Sequence, residues 1–82
     1  MTTSAQISVY PLRQEHLAPV VECVRKALEE HGLTPQVGAM STTVIGESGI
    51  VFAALADAFA NAASSGQVVM TITISNACPV PS

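Results

Sequence analysis

This sequence is short of charge. Only 11% of its 82 residues are Asp, Glu, Lys or Arg, and just three of those are basic. So few cations cannot follow a phosphate backbone, because nucleic-acid affinity is built from many Lys and Arg contacts. Aromatic residues are scarce too: Tyr10, Phe52 and Phe59, with no Trp, which is too little for a base-stacking platform. No apolar run approaches the ~20 residues that span a bilayer. The stretch "MTTSAQISVYPLRQ" lacks the basic and apolar regions of a secretory signal. The two cysteines, Cys23 and Cys78, have neither CxxC nor metal-ligand spacing. They read as free thiols, and a cytoplasmic protein without membrane or nucleic-acid partners is expected.

What is abundant is apolar surface. The chain is 49% hydrophobic with mean hydropathy +0.46 and net charge -3, the opposite of a disordered composition. Its length allows one domain, residues 1–82 with a core of about 5–79. Such a composition is greasy for a small monomer, and surplus apolar surface usually meets a partner. A homo-oligomer, either a dimer or a dimer of dimers, is therefore expected.

The order of elements follows from periodicity. "AQISVY" alternates and stops at Pro11, which reads as a strand. "HLAPVVECVRKALEEHG" repeats Leu17, Val20, Val21, Val24 and Leu28 at helical spacing. Pro19 fits only a first turn, so this helix begins near Leu17 or Ala18; Gly32 stops it, and Glu22 is set to pair with Lys26. Two extended pieces, around 36–39 and 42–45, can join as a hairpin through Met40 and Ser41. Ser48 is the expected N-cap of a second helix, with Val51, Phe52, Leu55, Ala56, Phe59 and Ala63 on its inner side. "VVMTITISNACPVPS" then alternates again, as a last strand. The resulting β-α-β-β-α-β order predicts an α+β, ferredoxin-like sandwich: a four-stranded antiparallel sheet with two helices on one face.

In that fold the first and last strands are neighbours. Ile7, Val9, Met70, Ile72 and Ile74 would face the helices, leaving Gln6, Ser8, Tyr10, Thr71, Thr73 and Ser75 on the open face. Threonine is a good strand residue, and an open face in water is usually polar. A solvated face, however, normally carries Lys and Glu, and these strands carry neither. Neutral hydroxyls, an amide and a phenol suit a face covered by another sheet.

Catalytic signatures are missing. His16 and His31 lie at opposite ends of one helix, the carboxylates are scattered, and HExxH, P-loop and GxGxxG are absent. No catalytic residue, metal site or required cofactor is expected, and the chain reads as a non-enzyme. "MSTT", Met40 to Thr43, and "SNAC", Ser75 to Cys78, supply neutral hydrogen-bonding groups instead. A small heterocycle needs a mostly apolar slot with a few such groups, although "MSTT" equally suits a polar hairpin.

"ISVYPL", "MSTTVIG" with "VF" after it, and "VVMTITISNACP" together resemble the YkoF-like thiamine/hydroxymethylpyrimidine-binding family, over residues 5–79. The resemblance implies ferredoxin-like domains whose paired open faces enclose ligand pockets, with a second copy supplying the pairing for a one-domain chain. It implies non-catalytic binding of thiamine, hydroxymethylpyrimidine or a related heterocycle. Carried over by position, the family's serine–threonine step falls at Ser41 and Thr42, and its "SxYP" strand at Ser8 and Tyr10, with Gln6 before them. Met40, Thr43 and Asn76 complete the implied set. Glu47 is the carboxylate nearest a thiazolium cation, or else a residue that stabilises the start of the second helix. Two other functions fit the residues: a structural or interaction protein with no ligand, and a dimeric α/β-barrel-type enzyme.

Overall fold

The computed structural model describes residues 1–13, 17–64 and 66–77. Six elements run along them: β1 (Thr2–Pro11), α1 (Ala18–Glu30), β2 (Gln36–Val37), β3 (Thr42–Glu47), α2 (Ser48–Ala63) and β4 (Val68–Ser75). The strands make one antiparallel sheet in the order β2-β3-β1-β4. This is the ferredoxin-like α+β arrangement that the periodicity predicts. His16 and Cys78 lie outside the described residues.

The alternation of β1 becomes two faces. Thr3, Ala5, Ile7 and Val9 are buried beneath the helices, whereas Gln6 and Tyr10 are exposed on the other side. The largest fully buried side chains are Ile7 of β1, Val24 and Leu28 of α1, Val44 of β3 and Val51 of α2, with none from β4. α1 starts with Pro19 in its first turn, where the missing N–H costs nothing. It closes at Gly32, whose φ of 80° suits a residue without Cβ. There the Leu33 N–H donates to Leu28 O (3.1 Å) and the Gly32 N–H to Glu29 O (2.9 Å), the paired bonds of a Schellman stop. The stop turns Leu33 into the core, where Gly46 makes room for it: a Cβ on Gly46 would sit 2.6 Å from Leu33 Cδ2.

Four local expectations need correction. The inner stripe of α2 is Val51, Ala54, Leu55, Ala58 and Ala62, while Phe52 and Phe59 are 55% and 48% exposed and Ala56 is exposed. Alanine at so many positions makes the helix apolar all round, so periodicity could not select the buried stripe. Its N-cap is Glu47, not Ser48: the Glu47 carboxylate accepts from the N–H groups of Gly49 (2.8 Å) and Ile50 (3.3 Å). Glu22 pairs with Arg25 rather than Lys26, and Arg25 also reaches Glu29 at 2.7 Å. The hydrogen bond from Arg25 holds the Glu22 carboxyl below its ordinary range.

β4 supplies the fourth correction. Ile72 and Ile74 pair with Ile7 and Ala5 and so share the helix-side face, yet each is 37% exposed. β4 is the sheet's edge, and the helix layer ends short of it. The Nε2 atom of His31, at the C-cap of α1, lies 2.6 Å from the Asp57 Oδ2 of α2, so that flank of α2 faces α1. Helical geometry then turns Phe52, Ala56 and Phe59 the other way, toward the side on which β4 lies. Leu28→Ala is expected to cost about 2–5 kcal/mol through the cavity it leaves, and Phe52→Ala no more than about 1 kcal/mol. Equilibrium urea unfolding measures both, and equal costs would return Phe52 to the core.

Candidate functional site

β1 outruns β3. Its ladder to β3 covers Thr2↔Glu47 to Ile7↔Thr42, whereas its ladder to β4 continues from Ser4↔Ser75 to Pro11↔Val68. Ser8 to Pro11 therefore have a neighbour on one edge only. Opposite them, β2 and β3 are joined by a turn that closes through the Gly38 N–H donating to Ser41 O at 2.8 Å. Between this turn, the end of β1 and the start of α1 lies a cavity of about 130 Å³. Val9, Leu17, Val21 and Val37 give it apolar walls, and Ser8, Tyr10, Ser41 and Thr42 bring hydroxyls to it.

Two side-chain bonds hold its polar rim. The Ser8 hydroxyl donates to Met40 O (3.2 Å), and the Gln6 amide donates from Nε2 to Ser41 Oγ (3.2 Å). Both fasten the turn to β1 across the place where the ladder has ended. Thr42 comes from the other face: as the partner of Ile7 it points to the helices and is only 5% exposed. The cavity thus cuts through the end of the sheet rather than lying flat on its open face. A cavity of roughly 150 Å³ holds one benzene ring, so this one is on the scale of a single six-membered ring. Among the described residues that line it there is no carboxylate, imidazole, amine or thiol.

The nine candidate residues divide by position. Ser8, Tyr10, Met40, Ser41 and Thr42 line the cavity, and Gln6 touches it through Ser41. Thr43, the partner of Gln6 on the open face, borders a separate hollow with Gln36 and Ile45. Glu47 and Asn76 are at the far end of the sheet. Glu47 lies five residues along β3 from Thr42, roughly 17 Å at strand rise. There it caps α2 and stands 3.8 Å from the Met1 amino group, while Asn76 Nδ2 donates to Met1 Sδ at 3.3 Å. The sequence reading missed Val9, Leu17, Val21 and Val37 as walls. Their hydrophobic periodicity is that of core residues, and nothing in it reveals that β3 stops early.

The open face around the cavity is neutral from Ser4 to Tyr10 of β1, and its charged groups, Glu47 and the Met1 amino group, lie together at the far end. Ser4, Gln6, Ser8 and Tyr10 of β1 lie beside Thr43 and Ile45 of β3 and Val69, Thr71, Thr73 and Ser75 of β4. Ile45, at 40% exposure, was not foreseen on this face.

The family model described as thiamine-binding protein matches residues 5–77. The chain belongs to the thiamine-binding protein family. Among solved structures, a hypothetical protein from Methanocaldococcus jannascii has the same fold at TM-score 0.85 and 18% identity, covering 98% of this chain and 84% of that one. A protein from Streptococcus pneumoniae is 25% identical at TM-score 0.83, covering 92% and 86% of the two chains. A candidate thiamine biosynthesis/salvage protein from Thermotoga maritima is 20% identical at TM-score 0.79, covering 90% and 82%. No curated protein sequence matches. No helix among the described residues is long and apolar enough to cross a membrane.

Within this thiamine-binding-family chain the position of Glu47 separates capping from ligand contact. Glu47→Ala is expected to destabilise the fold by about 0.5–2 kcal/mol, the usual worth of an N-cap, as thermal unfolding would record. Ligand affinity measured well below the melting temperature should not change. A large affinity loss with no loss of stability would move Glu47 back to the site.

Proposed function

We propose that this chain binds thiamine, hydroxymethylpyrimidine or a related small heterocycle without transforming it, one ring per subunit, as a carrier or sensor. The observation that carries this reading is the ring-sized cavity at the end of β1, walled by valines and leucine and rimmed by neutral hydroxyls. Such a lining suits a flat, mostly neutral ring with a few polar atoms. Membership of the thiamine-binding family supports the choice of ligand class. Binding without turnover is part of the proposal. No cofactor is invoked.

The subunits associate through their open sheet faces in this reading. The uncharged strip across β3, β1 and β4 supports it, since charge depletion marks the centre of an interface. Met40 supports it too, standing 80% exposed at the cavity rim, where a second copy would cover it. Cytoplasmic residence is part of the proposal. A second reading, an interaction module with no small ligand, is favoured by the exposed flank of Phe52, Phe59, Ile72 and Ile74, which calls for a protein partner whatever the cavity does.

Thermal unfolding with thiamine, hydroxymethylpyrimidine, thiamine phosphate and thiamine diphosphate separates the two. Binding to the folded state alone adds about 2.7 kcal/mol when the ligand is at a hundred times its Kd. A saturable rise with one compound, in a species that light scattering reports as an oligomer, supports ligand binding. An unshifted midpoint with all four, the oligomer intact, favours the interaction module. Thr42→Val, similar in shape, is expected to weaken binding by about 1–2 kcal/mol while the fold survives. Unchanged affinity by calorimetry would remove Thr42 from the site.

A further inference from the structure

Two backbone hydrogen bonds reveal which residues of β1 face which neighbour. In an antiparallel ladder, alternate residues send both their N–H and their C=O to the same side. The Leu12 N–H donates to Gln67 O at 2.9 Å, one rung beyond Pro11↔Val68. That makes the even-numbered residues of β1 the ones bonded to β4. At the other end the Ser48 N–H donates to Met1 O at 2.9 Å, one rung beyond Thr2↔Glu47. That makes the odd-numbered residues the ones bonded to β3, and the two assignments agree.

Thr3, Ala5 and Ile7 accordingly face Gly46, Val44 and Thr42. The next in line is Val9, and there β3 has already ended. Continued one rung, the ladder would have Met40 O accept from Val9 N–H, but that carbonyl accepts from the Ser8 hydroxyl instead. Val9 is 7% exposed and lines the cavity. Its N–H and C=O thus lie side by side on the edge that opens there, with no strand opposite among the described residues. Pro11, the next residue with this orientation, has no N–H to offer. Among the described residues the Val9 N–H is therefore the single ladder-type donor on this stretch of edge. A buried amide left without a partner is costly, so the edge favours an occupant that satisfies it.

We propose that the main chain of Val9 is the recognition element of the cavity, and that it takes a cyclic amidine edge-on. The ring nitrogen of such a ligand accepts from the Val9 N–H, while the adjacent exocyclic amine donates to the Val9 C=O. The ligand occupies the rung that β3 withholds. This rests on the reading of the cavity as a ring site, and it adds the chemical pattern that the site selects: an acceptor beside a donor on one edge of a six-membered ring. Ser41 and Thr42 then contact the remainder of the ring rather than define it. A side-chain scan would miss this element, because it belongs to the backbone.

The test is amide hydrogen exchange and NMR titration of the isotope-labelled full chain with 4-aminopyrimidine and with 4-methylpyrimidine, which lacks the amine. In the free protein the Val9 amide is expected to exchange at least about tenfold faster than those of Ala5 and Ile7, having no ladder partner. Saturation with 4-aminopyrimidine should slow it by about tenfold or more, and 4-methylpyrimidine should bind about tenfold more weakly, the scale of one lost hydrogen bond. The inference fails if free Val9 is already as protected as Ile7. It also fails if the two probes bind alike, if the amino compound binds without protecting Val9, or if it does not bind. Thiamine binding with Val9 unprotected would sink this inference alone. Protection of Val9 by 4-aminopyrimidine, with thiamine inert, would sink only the choice of thiamine as ligand.

Discussion

The hydrogen-bond ladders on the two edges of β1 set nearly everything else in the molecule. From Ser4 to Ile7 the strand is bonded on both sides, which places Ala5 and Ile7 under the helices and Gln6 on the opposite face. From Ser8 onward it is bonded to β4 alone. The stagger between those two ladders creates the cavity, exposes one main-chain edge, and puts the β2–β3 turn where Ser8 and Gln6 can hold it. Had β3 begun two residues earlier, its first rung would fill the space that the cavity now occupies.

Charge is distributed to the same effect. The Glu22–Arg25–Glu29 cluster sits on the outer surface of α1, and His31 with Asp57 bridges the helices. Glu47 is spent at the head of α2. Apart from Glu47 at its far end, the open face is left with neutral groups where the strands lie side by side. A neutral face meets another neutral face without desolvating an ion, which is the costly step in burying a polar surface. The same neutrality leaves β4 without the charged side chains that usually stop an edge strand from pairing with another chain.

Much of the fold was legible because it is written in local signals. The two-residue alternation of "AQISVY", Pro19 in a first turn, and Gly32 at φ 80° each reflect a physical requirement of one element, and each holds in the structure. Failure came where the signal depends on what a neighbour does. α2 is apolar on every side, so its buried stripe is chosen by its contact with α1 and the sheet, and Phe52 and Phe59 fall outside it. Ile72 and Ile74 alternate like core residues, yet their strand is the last in the sheet. The lining of the cavity was half legible in the same sense. Ser41 and Thr42 stood out as residue types that suit a ligand and Ser8 through the family resemblance, and all three line the cavity, but a stagger between strands leaves no trace in either strand's own sequence. Glu47 and Asn76 entered for their chemistry, and the register places them at the other end of the sheet.

The Gly38–Ser41 turn has a consequence for timing. It is both one wall of the cavity and the tip of the shortest strand pair, since β2 contributes only Gln36 and Val37. Short, weakly paired hairpin tips fray readily, so under the proposed function a ring held between β1 and this turn would have one wall that moves. Its release would then depend on the opening of the hairpin tip as well as on its contacts with β1. Residues that stiffen the tip would lengthen the residence time of every ligand alike, without altering which ligand is preferred.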